Sequence, residues 1–196
     1  MTNPSPDLSA LRDAIASGDP SRAMPALVGL REVPVDQAVP LLLLGLEQGI
    51  FMVRSLSCAG LGVKQSEEGW QALVNAVQHD EDANVRAEAA NSLVSHSLER
   101  AWPLLREVFA ADQQWLVRCS ILSALAEQPA IDPAWLLDLA AMALTDADGT
   151  VRVGGAEILG RLVRDRDDAE ARTLLQQLQA DADHRVVAAA LNGLQG

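Results

Sequence analysis

The side chains with chemistry to offer are scattered along this chain rather than gathered. Three histidines, His79, His96 and His184, could each act as a general base, but each falls in a different stretch, near a predicted helix end or turn. A surface or capping histidine is the alternative at such places. Cys58 and Cys119 come without any CxxC or Cys/His cluster, which excludes a conventional zinc site and a disulfide framework. Both stand among apolar residues, as small buried hydrophobes of a reducing compartment would. Acids are paired at Glu67-Glu68 and run together at Asp80-Glu81-Asp82, a pattern that suggests acid/base work. Glu67-Glu68, however, opens a predicted helix, where acids favour the helix dipole without any catalytic role. Gly60-Leu61-Gly62 lacks the third glycine of a phosphate loop, and there is no Gly-x-Ser-x-Gly elbow. No catalytic residue, no metal site and no obligatory cofactor are expected.

The few aromatic residues are more regular. Trp70, Trp102 and Trp135 stand 32 and 33 residues apart. Such a column is either a packing ridge between repeats or an aromatic strip for an apolar ligand or a partner helix. Phe51, Trp115 and His184 form a second column, each two residues before a recurring valine. They sit where a turn enters a helix, an exposed place at which an aromatic can anchor a partner.

The elements that position these residues recur. Asp80-x4-Val85-Arg86, Asp112-x4-Val117-Arg118 and Asp146-x4-Val151-Arg152 are the clearest copies, and Asp181-x4-Val186-Val187 is a degraded one. Val53-Arg54 is an earlier copy with Gln48 in the aspartate's place. The valines at 53, 85, 117, 151 and 186 step by 32, 32, 34 and 35. Each opens an apolar stripe at i, i+4 and i+8, for example Val117-Ile121-Leu125, and that spacing is helical. Further helical runs lie upstream, at roughly 36–48, 67–79, 99–111, 133–145 and 169–180. Short turns carrying the acids and glycines join the two helices of a unit, so each unit is a helical hairpin. The mixed-sign block Arg161 to Asp168 is expected as a solvated charge network at an inter-repeat turn.

A turn aspartate followed five and six residues later by Val-Arg resembles the HEAT repeat. The period near 32 and the Ala- and Gly-rich second helices resemble its short subtype, named after phycobilisome lyases. The resemblance covers residue 36 to the end, with a divergent first hairpin at 8–31. It implies an all-α fold, a right-handed α-solenoid of about six antiparallel helical hairpins, with a tail at 1–7 and a single domain over 8–196. It also implies a ladder that ties adjacent turns together through Asp80, Arg86, Asp112, Arg118, Asp146 and Arg152. Gln48 and Val187 would then be broken rungs near the two ends. Proteins similar to this subtype include lyases of the E/F type, which attach a linear tetrapyrrole to a phycobiliprotein cysteine, and phycobilisome-disassembly factors. On that basis Trp115 would wall the tetrapyrrole, Arg86 and Arg118 would meet its propionates, and Glu88 would keep its pyrroles protonated. Partners would be a phycobiliprotein subunit or a second HEAT-like chain, in a cyanobacterial cytoplasm.

Composition narrows the remaining classes. The chain has 196 residues and a net charge of −12, which argues against nucleic acid and anionic membranes because both need a basic footprint. Fourteen arginines stand against the single lysine, Lys64. No leader is visible at the start, and the longest apolar run, Val39 to Leu46, is too short to span a bilayer. A soluble, cytoplasmic protein is expected, without membrane insertion. If the second helices line the concave face, Glu88, Ser120 and Gly154, then Asn91, Ser123, Glu157 and Asn192, then Ser95, Glu127 and Arg161 point into a groove. Small, polar and acidic, it suits a polypeptide surface of some basic character; an ordinary solvated helix face is the alternative. The expected function is a protein-interaction scaffold, with the tetrapyrrole lyase or a phycobilisome factor as the competing class.

Overall fold

The computed structural model describes residues 7–195, so residues 1–6 of the expected tail lie outside them. Asp7 is not tail. Its carboxylate accepts from the amides of Ser9 and Ala10 and caps the first helix. The described residues form twelve α-helices and one short 3-10 turn, with no strand among them. In chain order these are α1 (Leu8–Ile15), α2 (Pro20–Gly29), α3 (Val35–Leu46), α4 (Phe51–Val63), α5 (Glu67–His79) and α6 (Ala83–His96). They continue as α7 (Leu98–Ala111), α8 (Trp115–Ala126), α9 (Pro133–Ala143), α10 (Gly149–Arg166), α11 (Ala169–Leu178) and α12 (His184–Gln195). α1 pairs with α2, α3 with α4, α5 with α6, α9 with α10 and α11 with α12, and the architecture is an α-solenoid of the kind the repeat period dictates.

The chain divides into two compact units, Met1–Ala101 and Trp102–Gly196. In the first, α4 packs broadly on α6 and also on α2, while α1, α3 and α5 line up with one another. In the second, α10 packs on both α8 and α12. Second helices therefore stack on second helices, and the recurring stripe is what they bury. Val53, Val85, Val117, Val151 and Val186 are at most 1% exposed, and so are Leu61, Leu93, Leu125 and Leu159. Leu194 at the end of the last stripe is only half-buried, since nothing packs beyond it among the described residues.

Small side chains let these helices close on one another. A Cβ on Gly160 would sit 2.8 Å from the Cα of Gly193, backbone against backbone, where α10 meets α12. Gly62 in α4 faces the backbone of Ser92 in α6 in the same way, at 3.1 Å. The hydroxyl of Ser92 donates to the carbonyl of Cys58 at 2.9 Å, so its burial costs no unpaired polar group. One local expectation is corrected. The block from Arg161 is helix as far as Arg166, and the turn comes only at Asp167, which adopts the left-handed conformation at φ 53°. Arg161 and Arg164 approach Asp165 along the helix, and Arg172 pairs with Asp167 across the turn.

Candidate functional site

The turn acids and the arginines that follow them form a clamp with two arms. Each arginine first donates backwards, to the carbonyl of its own turn: Arg54 to Gln48 at 3.1 Å, Arg86 to Asp80 at 2.9 Å, Arg118 to Asp112 at 2.7 Å and Arg152 to Asp146 at 2.9 Å. Arg54, Arg118 and Arg152 then reach forward with two N–H groups to the aspartate of the next turn. Arg118 meets the two Asp146 oxygens at 2.5 and 2.8 Å, Arg54 meets Asp80 at 2.8 and 3.0 Å, and Arg152 meets Asp181 at 2.8 and 2.9 Å. This bidentate fit is what the planar guanidinium provides and an ammonium would not.

The turn acids repeat as Asp-x-Asp because the two positions do different work. The first aspartate takes the incoming guanidinium and also the amide two residues on, as Asp80 does from Asp82 and Asp146 from Asp148. The second caps the following helix, as Asp82 does for Asn84 and Asp148 for Thr150. These hydrogen bonds hold the Asp148 carboxyl below the usual carboxylate range, the Thr150 amide first among them. The forward direction of the clamp corrects one expectation about its ends. Arg54 has a full partner in Asp80, so the lack of an acid at position 48 does not break its rung. Gln48 still supplies the backbone carbonyl that the guanidinium needs.

Ion pairs at the repeat period also run between first helices, and the residues alone did not point to them. Arg100 pairs with Glu67 through two bonds of 3.0 Å and lies 4.0 Å over the Trp70 ring. Arg106 pairs with Asp138 in the same bidentate way, on an exposed surface. Trp70 is buried, and its ring meets His96 edge-on at 5.8 Å. Trp102 and Trp135 lie flat on one another at 5.2 Å. The first tryptophan column is thus a set of packing contacts within each unit. His96 also reaches the neighbouring hairpin, its Nε2 lying 2.8 Å from the carbonyl of Leu61 at the end of α4. Lys64 makes the equivalent contact one hairpin earlier, and Arg161 reaches the carbonyl of Ala126. The available signal was a cation recurring ten or eleven residues beyond the stripe valine.

The second column is exposed as expected: Phe51 and Trp115 are 39% and 46% accessible, and His184 stands in solvent at the start of α12. Arg86 and Glu88 belong to the first unit and Trp115 and Arg118 to the second. Every arm of the Arg118 guanidinium is engaged by Asp146 and the Asp112 carbonyl. Glu88 is half-buried, and burial raises its carboxyl above the ordinary range. Asn91 is half-buried on the same helix, α6. In the second unit Ser123, Glu127, Gly154, Glu157, Arg161 and Arg164 line one open groove of about 360 Å³ between α8 and α10. Three of the predicted second-helix columns therefore do meet. The cysteines differ in burial: Cys58 is fully buried, which pushes its thiol up to about 12, whereas Cys119 is only half-buried, with its thiol pushed to about 11. No cluster able to hold a metal ion occurs among the described residues. No helix among them is long and apolar enough to cross a membrane.

A family model described as HEAT repeats matches residues 39–126, the span that holds the Arg54–Asp80 clamp. Residues 39–126 carry HEAT repeats. No curated protein matches this sequence significantly. Among solved structures, YibA of Escherichia coli aligns over 99% of this chain and 76% of its own, at 18% identity and a TM-score of 0.64. Human deoxyhypusine hydroxylase, in complex with glycerol, aligns over 96% of both chains at 14% identity and a TM-score of 0.51. The complex of CpcE and CpcF of phycocyanin lyase from Nostoc sp. covers 97% of this chain at 22% identity and a TM-score of 0.42, too low to carry an argument. Identities this low make the first two likenesses of fold alone.

Proposed function

We propose that this HEAT-repeat protein is a non-enzymatic scaffold that grips a partner polypeptide along the polar face of its second helices. The observation that carries this is the groove between α8 and α10. Its lining mixes short, acidic and basic side chains with the apolar Leu122 and Ile158, and Ser123, Glu127 and Glu157 are exposed. Two carboxylates balanced by Arg161 and Arg164 at the same groove suit a segment of mixed charge, and the protein's overall charge of −12 favours one with some basic character. A cytoplasmic setting accords with free cysteines whose thiols are unreactive.

A photo-crosslinking residue at Ser123 or Glu157 should capture the same partner, and one at exposed Gln176 on first helix α11 should not. Glu127→Lys with Glu157→Lys should abolish capture from the groove. Equal capture at all three positions would sink the proposal. The competing lyase class draws on the exposure of Trp115. Saturable uptake of one free phycocyanobilin, weakened by Trp115→Ala, would favour it, with a phycobiliprotein subunit or a second HEAT-like chain as the partner to test next.

A further inference from the structure

The first two hairpins enclose a feature that the scaffold proposal does not use. An apolar cavity of about 270 Å³ opens between α2, α3 and α4. Leu27 and Leu42 are its buried wall, and Leu56 and Ala59 of α4 are half-buried beside them. Val28 and Val63 also line it, at 54% and 64% exposure the two most accessible large apolar side chains among the described residues. Leaving both in water is unfavourable by the area rule for apolar surface, so an apolar ligand that covers them gains from burial.

Two cations stand at the same cavity, Arg31 and the lone lysine, Lys64. Lys64 donates to the carbonyls of Arg31 and Val33 at 2.8 and 2.7 Å, which fixes its ammonium at the seam and leaves the third N–H for another acceptor. Arg31 is exposed. Neither cation has a carboxylate partner among the described residues, although the chain has 27 acids. The ladder arginines show that this fold pairs its guanidinium groups with acids wherever it fixes them. An apolar hollow with a few placed charges at its mouth is the common make-up of a small-molecule site.

We infer that this cavity binds a small amphipathic carboxylate. Its apolar body lies against Leu27, Leu42 and Leu56 and covers Val28 and Val63, and its carboxylate meets Arg31 and Lys64. Recognition needs both halves: the chain or ring for the cavity, and the negative charge for the cations.

Octanoate tests this, with octanol and octylamine as probes of the same apolar length and different charge. Titrations of the intact chain by calorimetry, with amide chemical shifts to locate the site, should show one saturable octanoate site around Ala59, Gly60 and Val63. Octylamine should not bind there, and octanol should bind more weakly than octanoate. Arg31→Gln, on an exposed side chain outside the packing, should weaken octanoate about fivefold. Ala59→Trp should fill the cavity and remove saturable binding, its fold checked by an unchanged circular dichroism spectrum. If Ala59→Trp does not fold, Leu56→Trp serves the same purpose. Three results would each overturn the inference: no saturable octanoate binding in the wild type, equal affinity for octanol and octanoate, or binding that Arg31→Gln and the filled variant leave unchanged.

Discussion

The clamp between Arg118 and Asp146 can be set against a chemically equivalent pair that differs only in its surroundings. Arg118 and Asp146 have side-chain exposures of 12% and 8%, whereas Arg106 and Asp138, with the same bidentate geometry, have 47% and 40%. A charge-assisted hydrogen bond contributes about 1.5–3 kcal/mol when water is largely excluded, and removing one partner of a buried pair costs about 3–5 kcal/mol. The residual exposure of Arg118 lowers that figure, so we expect a coupling of about 2 kcal/mol. The exposed pair should couple far more weakly, because water screens it. Single substitutions also remove other bonds: Arg118→Ala removes the bond to the Asp112 carbonyl, and Asp146→Ala removes the one from the Asp148 amide. A double-mutant cycle cancels these, because each loss recurs in the double variant. Urea unfolding of wild type, Arg118→Ala, Asp146→Ala and the double variant gives the coupling, followed by tryptophan fluorescence and circular dichroism. Coincident transitions are needed before free energies are taken from a repeat protein. The parallel cycle on Arg106 and Asp138 should lose its small coupling in 0.5 M salt, with the buried cycle little changed. Equal couplings for the two pairs would refute the claim that exclusion of water makes the turn ladder the stronger tie.

Other perturbations follow from the same packing. Glu88→Gln should raise the unfolding midpoint at pH 7. Burial lifts the folded carboxyl above its unfolded value, so ionisation costs stability above the folded pKa. The gain should vanish below the unfolded value of about 4.3; a gain of the same size at pH 3.5 would contradict this. The Arg152 guanidinium holds the Asp181 carboxyl below the usual range, which gives the opposite sign: its contribution is present above the unfolded pKa of about 3.9 and is lost as pH falls through the folded value. Asp181→Asn should therefore destabilise at pH 7, with the difference from wild type shrinking in acid. Gly160→Ala should destabilise by about 1–3 kcal/mol, because the new methyl meets the Gly193 backbone. Gly49→Ala, with open space around it, should be neutral or slightly stabilising in the same thermal melts. Iodoacetamide should leave Cys58 unlabelled in the native state and modify it on unfolding, as its burial and raised thiol require.

Local periodicity carried most of the fold. The valine stripe at 53, 85, 117, 151 and 186 named the second helices and their buried face, because a helical interval of four residues is set by backbone geometry alone. The first helix predicted at 67–79 is observed as Glu67–His79, and the one at 169–180 as Ala169–Leu178. The turn acids and Val-Arg pairs were equally plain, since a cap and the helix it starts are neighbours in sequence. What the chain by itself could not decide was direction and distance across repeats. An aspartate and an arginine six residues apart look like partners within one turn. Only the stacking shows that the guanidinium keeps its own turn's carbonyl and sends its other N–H groups 28 residues onward, as Arg118 does to Asp146. Lys64, His96 and the cavity between the first two hairpins belong to the same class of knowledge. Their partners are brought up by packing between hairpins, and a side chain's exposure depends on how closely small residues such as Gly62 and Gly160 let neighbouring helices approach.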